Sequence, residues 1–373
     1  MGERIAAEVF PPGEFLKDEL EARGWSQVEF ADIIDKDTRL ISEVISGKRA
    51  ITPETAIAIG TALGTGPEVW MNLEGQFQLS KVRPAEDSIA RKAVLHGRFP
   101  VREMAKRGWI ESTKNVDILE AQLLKFFGMT EINDVPALAH AAKKTTYAGD
   151  VSIHQLAWLQ RARNIALGAA CLGKFSNSAL EQAFQELKTH LEFAEGVRQV
   201  SPVLSAAGVR VVVVESFPGS KIDGACFWLD KSSPVVALSL RFDRVDNFWH
   251  TVFHELDHVK NKEGMDVAVV DSDIMNDDDK PDIEIRANQV AAEQLISKAE
   301  LDGFIVRVNP MFSEEKILGF AKRIRVHPGI VVGQLQNAGL IHWKFHRKHL
   351  EKIRELVTGS LITDGFGRSL SNV

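Results

Sequence analysis

Apolar residues recur every three or four positions through most of the chain, the spacing of amphipathic helices, and gather into short β-branched runs only around residues 208–240. GEFLKDELEARG predicts a helix closed by Gly24, and Ser26-x-x-Glu29 opens a second, SQVEFADII, with a capping box. TRLISEVISGKR follows, ending at Gly47. TPETAIAIGTALG then starts on Thr52 as cap with Pro53 in the first turn. Residues 115–195 also carry a helical pattern, with a start at Ser178-x-x-Glu181 and an apolar stripe of Leu180, Ala183, Phe184, Leu187 and Leu191. GVRVVVVES, GACFWL and PVVALSL are the expected strands of a small sheet. Helix returns in DNFWHTVFHELDHVKNKEG, with Asp246 as its cap and Gly264 as its stop, and in DIEIRANQVAAEQLIS, where Ile285, Val290, Ala291 and Leu295 set the packing face.

Composition narrows the class. With 373 residues, 45% hydrophobic and 26% charged, the chain is long enough for two or three globular domains and is neither disordered nor fibrous. Residues 1–80 hold seven Lys/Arg against fourteen Asp/Glu, whereas 81–114 hold nine against four, so a boundary is expected near residue 80. The division that follows is 1–80, a linker domain over 81–200, and 201–373. The formal charge of -6 excludes a wholesale basic protein, so nucleic acid would have to be met by a local patch. Two cysteines, Cys171 and Cys226, both in apolar surroundings, read as buried small hydrophobes and argue against a disulfide scaffold. MGERIAAEVFPPGEF lacks the basic-then-apolar order of a signal peptide, and no apolar run approaches the ~20 residues of a membrane span, so a cytoplasmic protein is expected.

The candidate chemistry sits in HELDH. His254 and His258, four apart on a helix, present imidazoles on one face with Cβ atoms ~6 Å apart, a spacing that suits one zinc ion. Glu255 stands beside the position a water would take, where a carboxylate can accept its proton. A third ligand is needed. Glu284 on the following helix is the first choice and Asp282 the second. The acidic run DVAVVDSDIMNDDDKPD lacks the spacing of a calcium loop and reads as a solvated loop. His327, His342, His346 and His349 are weaker candidates for an oxyanion donor, a residue before Pro-Gly being more often part of a turn.

Residues 205–340 resemble the ImmA/IrrE family of zinc metallopeptidase-like domains. The likeness runs through GACFWL, PVVALSLR, the FWxTxxHELxH helix, E-x-x-AN-x-x-A-x-x-L and FAKRIRVHPGIVVGQLQNAGLI. It implies a zincin-like fold, zinc on His254, His258 and Glu284, and Glu255 as catalytic acid/base. The sequence departs from the pattern at Asp257, where a small residue is usual and a charge would alter the pocket, and at Asn261, where a further histidine often follows.

SQVEFADIIDKDTRLISEVISGKRAIT has the layout of a helix-turn-helix, its second helix buried through Ile41, Val44 and Ile45. Thr38, Arg39, Ser42 and Ser46 lie on the opposite side, with the reach for base edges, while Gln27, Lys48 and Arg49 are placed for phosphates. Glu43 and the local net charge of -7 oppose DNA, and Asp35 occupies a turn position where glycine is common. The stretch from PGEFLKDEL to PEVWMNLEGQFQL, with GKRAITPETA and LGTGPEVW, resembles the HigA-type antitoxin branch of the Xre-like helix-turn-helix family, which implies binding of operator double-stranded DNA as a dimer. FPVREMAKRGWI and LLKFFGM resemble the linker of chains that fuse these two families, and Trp109, Phe126 and Phe127 read as core.

The expectation is therefore a mostly helical α+β chain, with an N-terminal helix-turn-helix bundle and a C-terminal zincin-like domain. Its expected role is that of a DNA-binding regulator with a zinc metalloendopeptidase that cleaves a regulatory protein. The alternative is a non-proteolytic antitoxin and repressor whose protein partner is its cognate toxin.

Overall fold

The computed structural model describes residues 9–81, 88–134, 152–265, 268–272 and 281–365. The first eight residues of the segment read for a leader, and residues 266–267 and 273–280 of the acidic run, lie outside the described residues. The chain divides between Arg91 and Lys92 into two compact units.

The first unit is a bundle of five helices: α1 (Pro12–Arg23), α2 (Gln27–Ile33), α3 (Thr38–Ile45), α4 (Pro53–Leu63) and α5 (Pro67–Lys81). Its core gathers Leu16, Leu20, Phe30, Ile41, Val44, Ile59 and Trp70. Local signals set the boundaries. The Ser26 hydroxyl accepts from Glu29 N while the Glu29 carboxylate accepts from Ser26 N, and Thr52 accepts from Thr55 N. Glu74 is buried, and its carboxylate accepts hydrogen bonds from Ile51 N at 2.9 Å and Gln78 Nε2 at 2.6 Å, tying the entry to α4 onto α5.

α6 (Ser88–Arg98) spans the division. Then come α7 (Val101–Lys106), α8 (Val116–Phe127), α9 (Ile153–Gly168), α10 (Asn177–Lys188) and α11 (Val200–Ala206). β1 (Arg210–Val213), β2 (Ile222–Trp228), β3 (Pro234–Leu238), β4 (Val269–Ser272) and β5 (Ile362–Thr363) form one sheet in the order β4-β2-β3-β1-β5. β1 runs parallel to β3 and β5, and β2 antiparallel to β3 and β4. Alternate residues feed two cores. Val212, Ala225, Phe227, Val235 and Ala237 pack with Trp109, Leu123, Phe126, Phe127 and Trp158, so the middle of the chain shares a core with the sheet. Val211, Val213, Cys226, Trp228, Val236 and Leu238 face the other core, with α12 (Val245–Lys260). Cover on both faces explains why β3 reads as one apolar run. Beyond α12 lie α13 (Asp282–Leu295), α14 (Lys298–Val308), α15 (Glu314–Ile324), α16 (Pro328–Asn337) and α17 (Arg354–Thr358).

Three expectations need correction, and one strand was not foreseen. α10 begins on Ser176, whose hydroxyl accepts from Ala179 N, rather than on a Ser178/Glu181 box, although its predicted stripe is buried throughout. The acidic run is not wholly solvated loop: Val269–Ser272 pair with β2, and Ala268 and Val269 are buried. Cys171 is half-buried, its thiol directed at Ser205 O, whereas Cys226 is fully enclosed. β5 pairs across a long sequence interval and carries no periodic signal of its own. No helix among the described residues is long and apolar enough to cross a membrane.

Candidate metal centre

α12 is apolar on nearly every side. Phe248, Trp249, Val252, Phe253, Leu256 and Val259 are all buried, as a helix in the middle of a core must be. Asp246 does not cap it. The N-cap is Arg244, whose guanidinium holds the Asp246 carboxylate at 3.0 and 2.6 Å in the first turn, where negative charge suits the helix dipole. The helix ends at Lys260, before the predicted stop at Gly264, with Asn261 as its C-cap. α13 packs on α12 through Ala287, Ala291 and Leu295, a stripe of largely small side chains that permits close approach. The predicted stripe was partly wrong, since Ile285 is exposed. Glu284 continues the observed stripe one turn back.

That packing brings His254, His258 and Glu284 together, with one candidate ligand atom from each within 4.8 Å of the others. His254 Nε2 lies 3.1 Å from His258 Nε2 and 3.1 Å from Glu284 Oε2, and His258 Nε2 lies 3.6 Å from Glu284 Oε1. Tetrahedral zinc with bonds of about 2.0–2.2 Å requires donor atoms roughly 3.3 Å apart. Two imidazoles and a carboxylate at these separations fit the ion in spacing and in donor chemistry, and a three-residue set leaves a fourth position for water. Asp282 is exposed and stands outside the cluster.

The protonation of the cluster follows from the same contacts. Burial opposes a charge on His258, but hydrogen bonds to Glu263 and Glu284 outweigh it and raise the pKa to about 10. Burial likewise works against Glu284 as a carboxylate, and the His254 and His258 hydrogen bonds overcome it, lowering the pKa to about 2.

Glu255 is fully buried between α12 and the sheet. β2 approaches it at Gly224, where a Cβ would stand 2.4 Å from Glu255 Oε1 and 2.7 Å from Thr251 Cγ2. Only glycine lets the strand come this close, so GACFWL contributes to the site as well as to the sheet. Sequence reasoning missed Gly224 because nothing local marks it as more than a strand residue. It also missed His250, one turn before His254 with ring centroids 6.2 Å apart, and the partners of the histidine ligands. They are Glu263, which meets His258, and Arg286, which holds Glu263. Glu263 Oε2 meets His258 Nδ1 at 2.6 Å and Arg286 Nη2 at 2.6 Å, and Arg286 Nε reaches Asp257 Oδ2 at 2.8 Å. Asp257 is thereby paired with Arg286, which offsets the charge expected to alter the pocket.

The four histidines considered as oxyanion donors belong elsewhere. His327 caps α16 by accepting from Gly329 N, with Glu351 3.3 Å away. His349 meets Glu314, His346 meets Phe312 O, and His342 accepts from Lys344 N. Burial holds the Cys226 thiol well above its usual range, consistent with an inert packing role.

In the first unit, α2 and α3 meet at a turn where Asp35 takes the left-handed conformation, φ 51°, which aspartate tolerates better than most residues. Ile41 and Val44 are buried and Ile45 half-buried, as the helix-turn-helix layout requires. Gln27, Arg39, Ser42, Ser46, Lys48 and Arg49 are exposed and Thr38 is half-buried. Glu43 holds Arg39 at 2.8 Å and Arg49 at 3.6 Å, so part of the expected cationic surface is engaged within the helix region itself.

Residues 16–70 match the helix-turn-helix family, and residues 205–331 match the IrrE N-terminal-like domain. Over 76 residues, 20% of the chain, the sequence is 30% identical to the uncharacterized HTH-type transcriptional regulator YddM of Escherichia coli (strain K12), of which it covers 81%. It is 33% identical over 72 residues, 19% of the chain, to virulence-associated protein A' of Dichelobacter nodosus, covering 63% of that protein. Among solved structures, an addiction module antidote protein of a HigA family from Coxiella burnetii aligns at 30% identity over 19% of this chain and 79% of that one, with a TM-score of 0.19.

Proposed function

Because the chain belongs to the helix-turn-helix transcriptional regulators and carries an IrrE N-terminal-like domain, we propose that it binds operator DNA through the first and cleaves a regulatory protein through zinc held by the second. The observation that carries the hydrolytic half is the convergence of His254, His258 and Glu284 beside a buried Glu255. The DNA half rests on the family match, with Gln27, Thr38, Arg39, Ser42, Ser46, Lys48 and Arg49 as the contacting set and a homodimer as the binding form. A cytoplasmic location accords with both halves.

His254, His258 and Glu284 would hold the zinc. When bound, the ion supplies a Lewis acid that makes a water nucleophilic near neutral pH and polarises a carbonyl. Glu255 accepts the proton of the attacking water and returns it to the departing amine, the two transfers expected of one acid/base carboxylate. Its burial removes competing solvent, and Gly224 leaves room for it against β2. The proteolytic reading predicts about one zinc per purified chain and cleavage of a regulatory protein by the wild type. Glu255→Gln should retain the metal and lose activity by at least ~10²-fold. Equal cleavage by wild type and variant, or zinc content near zero, would defeat it.

A further inference from the structure

We infer that Glu263 and Arg286 position His258 for metal, so that the site is braced from the loop after α12 and from α13 at once. The inference rests on the reading of His254, His258 and Glu284 as ligands. A histidine that ligates through Nε2 needs its Nδ1 proton held by an acceptor, which fixes both tautomer and ring plane. Glu263 is that acceptor, at 2.6 Å. The same oxygen receives Arg286 Nη2 at 2.6 Å, so the carboxylate is itself held, and Arg286 Nε at 2.8 Å from Asp257 ties the brace back to α12.

Glu263 reaches this position through the backbone of its loop. Trp228 Nε1 donates to Glu263 O at 2.9 Å, the Cys226 thiol faces the same carbonyl at 3.5 Å, and Glu263 N donates to His258 O at 2.9 Å. Gly264 follows at φ 80°, where a Cβ would stand 2.6 Å from Cys226 O, so the turn lies directly on β2. These pins use main-chain atoms of residue 263. Changing its side chain therefore leaves the loop trace in place while removing the contact to His258. Arg286 lies on the helix that carries Glu284, and by bridging Asp257 and Glu263 it holds α13 to the His258 end of α12. Beside the packed stripe of Ala287, Ala291 and Leu295, this guanidinium adds a polar tie that helps hold the histidine pair and the distant carboxylate in register.

The test is zinc affinity of the full chain by competition with a chromophoric chelator, for wild type, Glu263→Ala, Glu263→Gln and Arg286→Met. Glu263→Ala should weaken zinc by about 10- to 100-fold, Arg286→Met by a smaller factor, and Glu263→Gln, which keeps an acceptor, should recover part of the loss. In the zinc-loaded wild type the His258 Nδ1 proton should give a strongly downfield NMR signal that Glu263→Ala abolishes, a signature that general destabilisation would not produce. If Glu263→Ala does not fold, Glu263→Gln and Arg286→Met carry the comparison. Affinities within twofold of wild type in every folded variant, with the NMR signal unchanged, overturn the brace. A wild type that binds no zinc, or binding that survives His254→Ala and His258→Ala, overturns the metal site itself and the brace with it.

Discussion

At the scale of single residues, the site depends on two side chains whose charge is set by neighbours and on one side chain that is missing. Gly224 is the missing one. Gly224→Ala places a methyl group where Glu255 Oε1 lies, so the base must rotate away or β2 must shift. The expected outcome is a fall in peptidase activity of about 10²-fold with zinc content preserved, because Glu255 is not one of the three ligands. Normal activity in that variant would mean that Glu255 does not act from its observed position. His258 and Glu284 give a prediction about pH. With a pKa of about 10 against an ordinary 6.5, His258 stabilises the metal-free fold fully below 6.5 and loses that contribution as pH rises through 10. Glu284, at about 2 against an ordinary 4.5, contributes fully above 4.5 and loses it as pH falls through 2. Both contributions are complete between pH 4.5 and 6.5, so the Tm of the chelated chain should peak in that window and the peak should flatten in Glu284→Gln. On the proposed reading, zinc would displace the His258 proton, so binding at neutral pH should release a proton, read as buffer-dependent calorimetric enthalpy.

At the scale of elements, α3 illustrates how a helix can carry its own counter-charge. Glu43 sits between Arg39 and Arg49 and holds both. Exposed pairs of this kind contribute little to stability, so the consequence is felt in recognition, where two cations are partly withheld from DNA. Glu43→Gln should tighten operator binding several-fold at low salt with little change in Tm, measured by fluorescence anisotropy on labelled duplex. Weaker binding in the variant would assign Glu43 to the contact surface. The elements also show what could be read from sequence. Helices such as α1, α3 and α10 were legible because caps and apolar spacing act within a few residues of each other, although a serine at 176 outcompeted the box at 178. β1 and β3 were legible as β-branched runs, and β2 as the apolar stretch between them. β4 was hidden in an acidic run because its pairing with β2 is non-local, and two-residue β5 has no period to detect. The metal triad was legible in part, as i,i+4 histidines and a carboxylate on the next helix. Glu263, Arg286 and Gly224 matter only through contacts across the fold, which no local spacing encodes.

At the scale of the whole molecule, the question is whether zinc builds the fold or is received by it. Small metal domains unfold on chelation because they have too little apolar core to stand alone. Here α12 is enclosed by a core that includes Leu187, Val236, Phe253, Ile330 and Leu335, none of which depends on the ion. His254, His258, Glu263, Glu284 and Arg286 are also joined to one another by hydrogen bonds and ion pairs between protein groups. The first unit has a separate core of its own. If the proposed function holds, chelation should therefore abolish peptidase activity while leaving far-UV circular dichroism and operator affinity unchanged. The unfolding free energy should fall only by the amount that binding linkage removes, about 4 kcal/mol for a ligand previously present at a thousand times its Kd, read as a lower Tm. Re-addition of zinc should restore activity without a refolding step. Cooperative loss of helix on chelation would instead make the ion a structural component of the second unit, and Glu255 would then need another role.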